Sequence, residues 1–348
     1  GGGWGSPKNP PHPRLGRDNS VPKMPAANQA RLGLARSIVL RIASVGVLLL
    51  AISFLTFSLL YLAPGDIVKN LLGNRPSSPE AIAAIRLQYQ LDEPFMARYV
   101  GWLVGALQGD LGISIRMQQP VADVISSRME VTVSLIGLSF LFAVLVSIPL
   151  GVAAAARNGQ RLDRLVSGFS LLGLSSPSFA MAILAISVFS LMFPLFPAFG
   201  AGEPGWNRVW HLILPSLVLA AGIGAILMRM TRAAMLRELE SDSVTFARAR
   251  GLSETTVRNV ALRSALIPIV TSAGLILTFI IGGTIIVETV FALPGIGQLL
   301  AASVFFKDLP VVQAVTLLVA TAIAGITILV DFSYLALDPR VRARDLSS

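Results

Sequence analysis

Six apolar blocks, each long enough to cross a bilayer, alternate with polar breaks along this chain, near 38–62, 131–156, 165–193, 211–235, 265–289 and 311–336. A hydrocarbon layer of roughly 30 Å takes about 20 residues of helix, so each block has length to spare for tilt. Turn-formers and charges make the breaks: Pro64-Gly65-Asp66, Arg157-Asn158-Gly159, Pro194 to Gly205, an Arg-rich stretch over 237–263, and Pro294-Gly295. The pattern predicts an all-α integral membrane protein of six transmembrane helices. Residues 35–63 form the first, and 131–345 carry the other five.

Two regions lie outside that pattern. Residues 1–34 are rich in Gly and Pro, bury too little apolar area to order themselves, and read as a disordered tail without the apolar core of a signal peptide. The long connection 64–130 is predicted to hold two short helices. Ser78-Pro79-Glu80 supplies a cap, a Pro at the first helical position and an early acid. From Pro94 to Gln108, Phe95, Tyr99, Trp102, Leu103 and Leu107 share one helical face. That second helix is too short to span. It either packs on the bundle, lies in the membrane interface, or meets an external partner.

Composition sharpens the picture. Charged residues make up 14% of the chain and hydrophobic ones 54%, against roughly 25% charged in a soluble domain. The net charge of +9 does not mark a nucleic-acid surface, because the basic residues cluster at the ends of apolar blocks rather than in one stripe. It sets orientation instead. With the N-terminus in the cytoplasm, only Lys69, Arg75, Arg86, Arg98, Arg116, Arg128, Arg208 and Lys307 of the 28 Lys and Arg residues fall outside, most of them in one loop balanced by acids. Both termini are therefore expected inside the cell, with the 64–130 loop external. The chain has no cysteine, which excludes disulfides and thiolate metal sites.

Small and breaking residues interrupt the blocks. Ser176-Pro177 sits within the third, Gly222 and Gly224 within the fourth, and Thr278 and Gly282-Gly283 within the fifth. Glu288 and Asp331 are rare ionisable groups near block ends. Close helix packing explains small residues at such places; so does the wall of a translocation path, for which Ser176, Pro177, Gly222, Thr278, Gly282 and Glu288 are the candidates. An ion-coupled secondary transporter would keep charges at membrane depth and show internal repeats, and neither is evident in this sequence.

The segment richest in information is 241–268. Asp242 is placed to cap a short helix over 243–250. Gly251 follows where a helix would end in a left-handed residue, and Ser253 caps a second helix running toward the fifth block. Val244, Ala247 and Gly251 then share a small-residue face that a partner could approach closely, while Arg248 and Arg250 project elsewhere to meet acids. A basic loop that merely closes the bundle would read the same way.

This stretch resembles the conserved cytoplasmic loop of ABC-importer permeases, a Glu-Ala-Ala core followed after three residues by Gly. Thr245-Phe246-Ala247 and Gly251 stand at those positions. It is more similar to the peptide subgroup, with its Asp-Tyr-Val-Arg-Thr-Ala-Arg-Ala-Lys-Gly-Leu. Further matches run in order along about 35–345: Pro64-Gly65-Asp66, Gly109-Asp110-Leu111-Gly112, Ile148-Pro149-Leu150-Gly151, Ile213-Leu214-Pro215, Glu288 through Pro294-Gly295-Ile296-Gly297, Lys307-Asp308-Leu309-Pro310, and Asp331 to Tyr334 with Asp338-Pro339-Arg340. On these residues the chain is similar to the first permease subunit of dipeptide, oligopeptide and nickel ABC importers.

The resemblance implies a type I importer fold in a bacterial cell membrane. It also implies a second, homologous permease subunit, two ATPase subunits and an external substrate-binding protein. Asp242, Val244, Thr245, Ala247, Arg248, Ala249, Arg250, Gly251, Leu252 and Ser253 would form the coupling segment that docks on an ATPase. The expected solute is a di- or oligopeptide, with nickel or another small solute as the alternative. The chain lacks Gly-x-x-x-x-Gly-Lys-[Ser/Thr], so no cofactor of its own is expected, and ATP with magnesium would sit on partner subunits. Its two histidines, His12 and His211, do not form a catalytic set; His211 reads as an interfacial polar residue.

Overall fold

The structure, a computed structural model, describes residues 1–3, 26–62, 78–88 and 92–337. The described chain is helical apart from its turns and one isolated bridge between Ile113 and Pro120. The elements are α1 (Ala26–Leu62), α2 (Pro79–Gln88), α3 (Phe95–Leu107), α4 (Val121–Ala156), α5 (Arg161–Ser175), α6 (Ser178–Ile186, continued by a π-helical turn Ser187–Met192), α7 (Trp206–Leu239), α8 (Asp242–Ala249), α9 (Glu254–Val290), α10 (Ile296–Phe305) and α11 (Leu309–Leu337).

Among the described residues five helices are long and apolar enough to span a membrane, and α5 with α6 together make a sixth segment of that kind. This last segment departs from the single straight span expected over 165–193. Its halves meet at 103°. Pro177 carries no N–H and disfavours helical backbone at the residue before it. Ser176 (φ −88°, ψ 124°) and Pro177 (φ −61°, ψ 134°) are both extended, so the chain turns a corner.

Other boundaries also move. Helix α1 begins at Ala26, so 26–34 is helical rather than tail, in keeping with the helix-favouring Ala, Gln, Arg and Leu there. Helix α4 begins at Val121, ten residues earlier than the apolar pattern alone suggested, which shortens the external connection. Helix α10, hidden in what read as a turn region, is short and apolar. The expected features of residues 4–25, Pro64-Gly65-Asp66 and Asp338-Pro339-Arg340 lie outside the described residues.

Helix α7 is the centre of the bundle, packed between α4 and α9, while α1 lies against α11 at the periphery. Small residues permit the central contact. A Cβ at Gly151 of α4 would stand 2.8 Å from the Met228 carbonyl of α7, which is why the Ile148-Pro149-Leu150-Gly151 stretch ends in Gly. Helix α1 keeps Val39, Val47, Leu48, Leu50 and Leu55 exposed, as lipid-facing side chains must be when the surroundings are as apolar as the core. Helix α3 packs on it through Phe54, Phe57, Phe95, Tyr99 and Trp102, and the Tyr99 hydroxyl lies 2.8 Å from that of Ser53.

The external loop before α4 is tied down by one carboxylate. Asp308 is 1% exposed and accepts from Ser114 Oγ and from the backbone amides of Ile115 and Arg116. Gly109 and Gly112 both have positive φ, and the Gly112 amide donates to Asp110 Oδ1 at 3.0 Å. Asp308 of the Lys307–Pro310 motif thus holds the turn that follows the Gly109–Gly112 motif.

Candidate functional site

The candidate site is the elbow between α7 and α9. Ser241, not Asp242, occupies the N-cap position of α8; Asp242 opens the first turn, where its charge favours the helix N-terminus. Helix α8 ends as the sequence requires. Gly251 has φ +73°, a left-handed conformation that only Gly adopts without strain. Its amide donates to the Arg248 carbonyl at 2.9 Å and the Leu252 amide to the Ala247 carbonyl at 3.3 Å, closing the last carbonyls of the helix in a Schellman arrangement. Ser253 then caps α9 by accepting the Thr256 amide at 3.4 Å. Arg248 crosses the corner to Glu254 at 3.2 Å; both partners are exposed, so the pair guides more than it stabilises.

The expected docking face is turned round. Val244 and Ala247 are buried among Ala155, Met235, Val257, Ala261, Ala265 and Ile269, drawn from α4, α7 and α9. They fasten the elbow to its own bundle, because a small apolar face packs equally well against the chain's own helices. The outward face consists of Asp242, Thr245, Phe246, Ala249, Arg250, Leu252 and Ser253. Phe246 is 68% exposed and Leu252 43% exposed. An aromatic ring held in water on a rigid, capped helix is the kind of anchor that a partner's pocket takes up.

A second fastening escaped the sequence reading. Asp163, 5% exposed, receives Arg232 Nε at 2.5 Å and its terminal nitrogen at 2.8 Å, along with the Gly159 amide at 2.9 Å. Arg232 also reaches Asn158 Oδ1 at 3.2 Å. The turn between α4 and α5 is thereby locked to α7 about two turns before that helix ends at the elbow. An aspartate and an arginine 69 positions apart give no local signal of pairing.

The path candidates separate into three groups. Ser176 lines an apolar cleft of about 380 Å³ with Ala221, Gly224 and Met228 at the α5–α6 corner, and Pro177 is exposed beside it. Gly222 and Gly282 open onto empty space, and Thr278 is half-buried with its hydroxyl toward the Gly274 carbonyl. Glu288 is 0% exposed and cannot line a path. It accepts from Thr132 Oγ1 at 2.7 Å and the Gln298 amide at 2.9 Å, and a Cβ at Gly295 would collide with its carboxyl group. Its place in the Glu288–Gly297 motif is to fold the α9–α10 turn. A buried carboxylate with its acceptors filled is a structural group.

Residues 147–343 match the family described as binding-protein-dependent transport system inner membrane component, and 34–136 match the N-terminal part of such membrane components. The chain belongs to this family. A putative peptide transport system permease protein of Brucella abortus (strain 2308) is 39% identical over 311 residues, covering 88% of this chain and 98% of that protein. The glutathione transport system permease protein GsiC of Escherichia coli (strain K12) is 38% identical over 295 residues, covering 84% and 94%. The inward-facing MetNI methionine ABC transporter shares the fold, with a TM-score of 0.53 at 22% identity over 62% of this chain and 96% of that one. The permease is therefore a multi-pass membrane subunit of a bacterial ABC importer, a system that includes ATPase and substrate-binding partners.

Proposed function

We propose that the permease forms half of a translocation path for small peptides and is moved by a separate ATPase that grips the α8 elbow. The elbow carries this reading: a short helix with Val244 and Ala247 fixed to the bundle and Phe246 and Leu252 offered to a partner. The names of the peptide and glutathione permeases support the solute class.

Exposed surface supports pairing with a second permease subunit. Leu275, Phe279, Gly282 and Ile286 form one apolar stripe on α9, at the spacing of a helix–helix seam. A homologous permease subunit fits this stripe, Gly282 allowing close approach. Two ATPase subunits, carrying ATP and magnesium, would engage the two elbows, and an external binding protein would deliver the solute. Closure of the ATPase pair displaces α8, and α9 follows because the Gly251 corner is capped on both sides. The two permease faces then exchange inward- and outward-open arrangements, each favoured by a different ligand state of the partners.

The test is uptake of a labelled dipeptide by vesicles holding the co-expressed assembly and its binding protein. Uptake that requires ATP and is lost without this chain supports the reading. Uptake driven by an ion gradient in the absence of ATPase subunits refutes it.

A further inference from the structure

Far from the elbow, at the outer end of the bundle, a cleft of about 460 Å³ is lined by Arg116, Met117, Arg128, Gln298, Leu299, Ala302 and Phe306. Its volume falls within the range of small-molecule sites and exceeds what one water needs. Its polar side chains are two guanidinium groups and one carboxamide, so donors dominate. Among the described residues Arg128, half-buried, makes no hydrogen bond or ion pair, and the Arg116 guanidinium lies over the Phe306 ring, 3.7 Å from its centroid. The two arginines are close enough to repel one another.

Nearby acids do not relieve that repulsion by direct contact. Glu288 attracts Arg128 from within the core more strongly than Arg116 repels it, but its oxygens bond Thr132 and the Gln298 amide rather than the guanidinium. Glu130 is paired with Arg208 and Asp308 with the 114–116 backbone. Glu288 offsets part of this positive charge without touching it, and the guanidinium donors of the partly desolvated cleft keep no direct carboxylate partner among the described residues, which suits them to an anion. Arg favours a planar, two-oxygen anion, and the ring under Arg116 holds that guanidinium flat.

We propose that this cleft receives the carboxylate of the incoming solute on the outer face of the permease. The assignment rests on the small-peptide reading above, since such peptides end in a carboxylate. The remaining apolar wall of Met117, Leu299 and Ala302 would take the adjoining residue.

The test uses the assembled transporter in nanodiscs, without ATP or binding protein. Phenylglyoxal adducts at Arg116 and Arg128 are mapped by peptide mass spectrometry during titration with glycylglycine or glycylglycinamide at constant ionic strength. Glycylglycine should slow both adducts several-fold, the amide should not, and Arg208 in its ion pair should be indifferent to both. Arg116→Gln, a change in an exposed loop residue, should abolish protection of Arg128. Unchanged rates with glycylglycine, or equal protection by the amide or by chloride, overturn the proposal. Because nothing is transported in this assay, protection without vesicle uptake would uphold the cleft and refute only the peptide reading. Peptide uptake without protection would do the reverse.

Discussion

The Thr132 hydroxyl bridges Glu288 and Ile296, donating to the Glu288 carboxylate at 2.7 Å and accepting the Ile296 amide at 2.7 Å. One side chain of α4 thus joins the end of α9 to the start of α10. Thr132→Val keeps the shape and removes both bonds, leaving a buried carboxylate oxygen and a buried amide short of a partner. We expect a loss of about 2–4 kcal/mol, read as a lower unfolding midpoint in detergent, with Thr132→Ser largely retaining the native value.

Gly251→Asp should insert into membranes normally yet separate ATP hydrolysis from uptake. A left-handed backbone at φ +73° costs a side-chain-bearing residue about 1–2 kcal/mol, enough to re-aim α8 without unfolding the spans. After Gly, Asn is the residue most used at this helix-ending position, so Gly251→Asn should couple more tightly than Gly251→Asp. The measurement is the ratio of solute imported to ATP hydrolysed in vesicles; equal ratios for wild type and both variants would refute the role of the corner.

Phe246→Ala removes an exposed ring and should leave the permease's own stability unchanged. Loss of an aromatic anchor at an interface costs about 2 kcal/mol or more, roughly 30-fold in affinity. Co-purification of ATPase subunits at graded salt or detergent would register it, with the thermal midpoint of the permease as the control.

Arg232→Ala strands Asp163, which is 5% exposed. Breaking an enclosed pair by deleting one partner costs about 3–5 kcal/mol, reduced here because Arg232 is itself partly exposed. The double variant Arg232→Ala, Asp163→Ala should recover part of the loss. Unfolding midpoints of the two singles and the double give the coupling directly.

Much of this was legible from residues alone. Apolar runs located the spans but not their ends or the corner in the third, because lipid demands long apolar stretches without setting where each helix begins, and Gly251 marked its own corner, because few other residues can turn there. Ser253 and the helix at Phe95–Leu107 were readable for similarly local reasons. The failures share another cause. Whether Val244 and Ala247 face a partner or their own bundle depends on where α4 and α7 lie, which periodicity within α8 does not encode. Glu288 looked like a path residue because a carboxylate near membrane depth suggests function; its partners Thr132 and Gln298 lie on other elements. Pro177 announced a bend, but its angle depends on two successive extended residues, Ser176 and Pro177, and on the cleft beside them.

The right-angled break at Ser176-Pro177 has a consequence for where this subunit can exist. The last carbonyls of α5 and the first amides of α6 have no helical partners, and hydrocarbon tails can neither donate nor accept a hydrogen bond. Backbone of this kind is tolerated at bilayer depth only against other protein or against water. A solitary copy dissolved in lipid would therefore carry an uncovered wound in its wall, and the position of that wound marks where oil is excluded once the machine is whole.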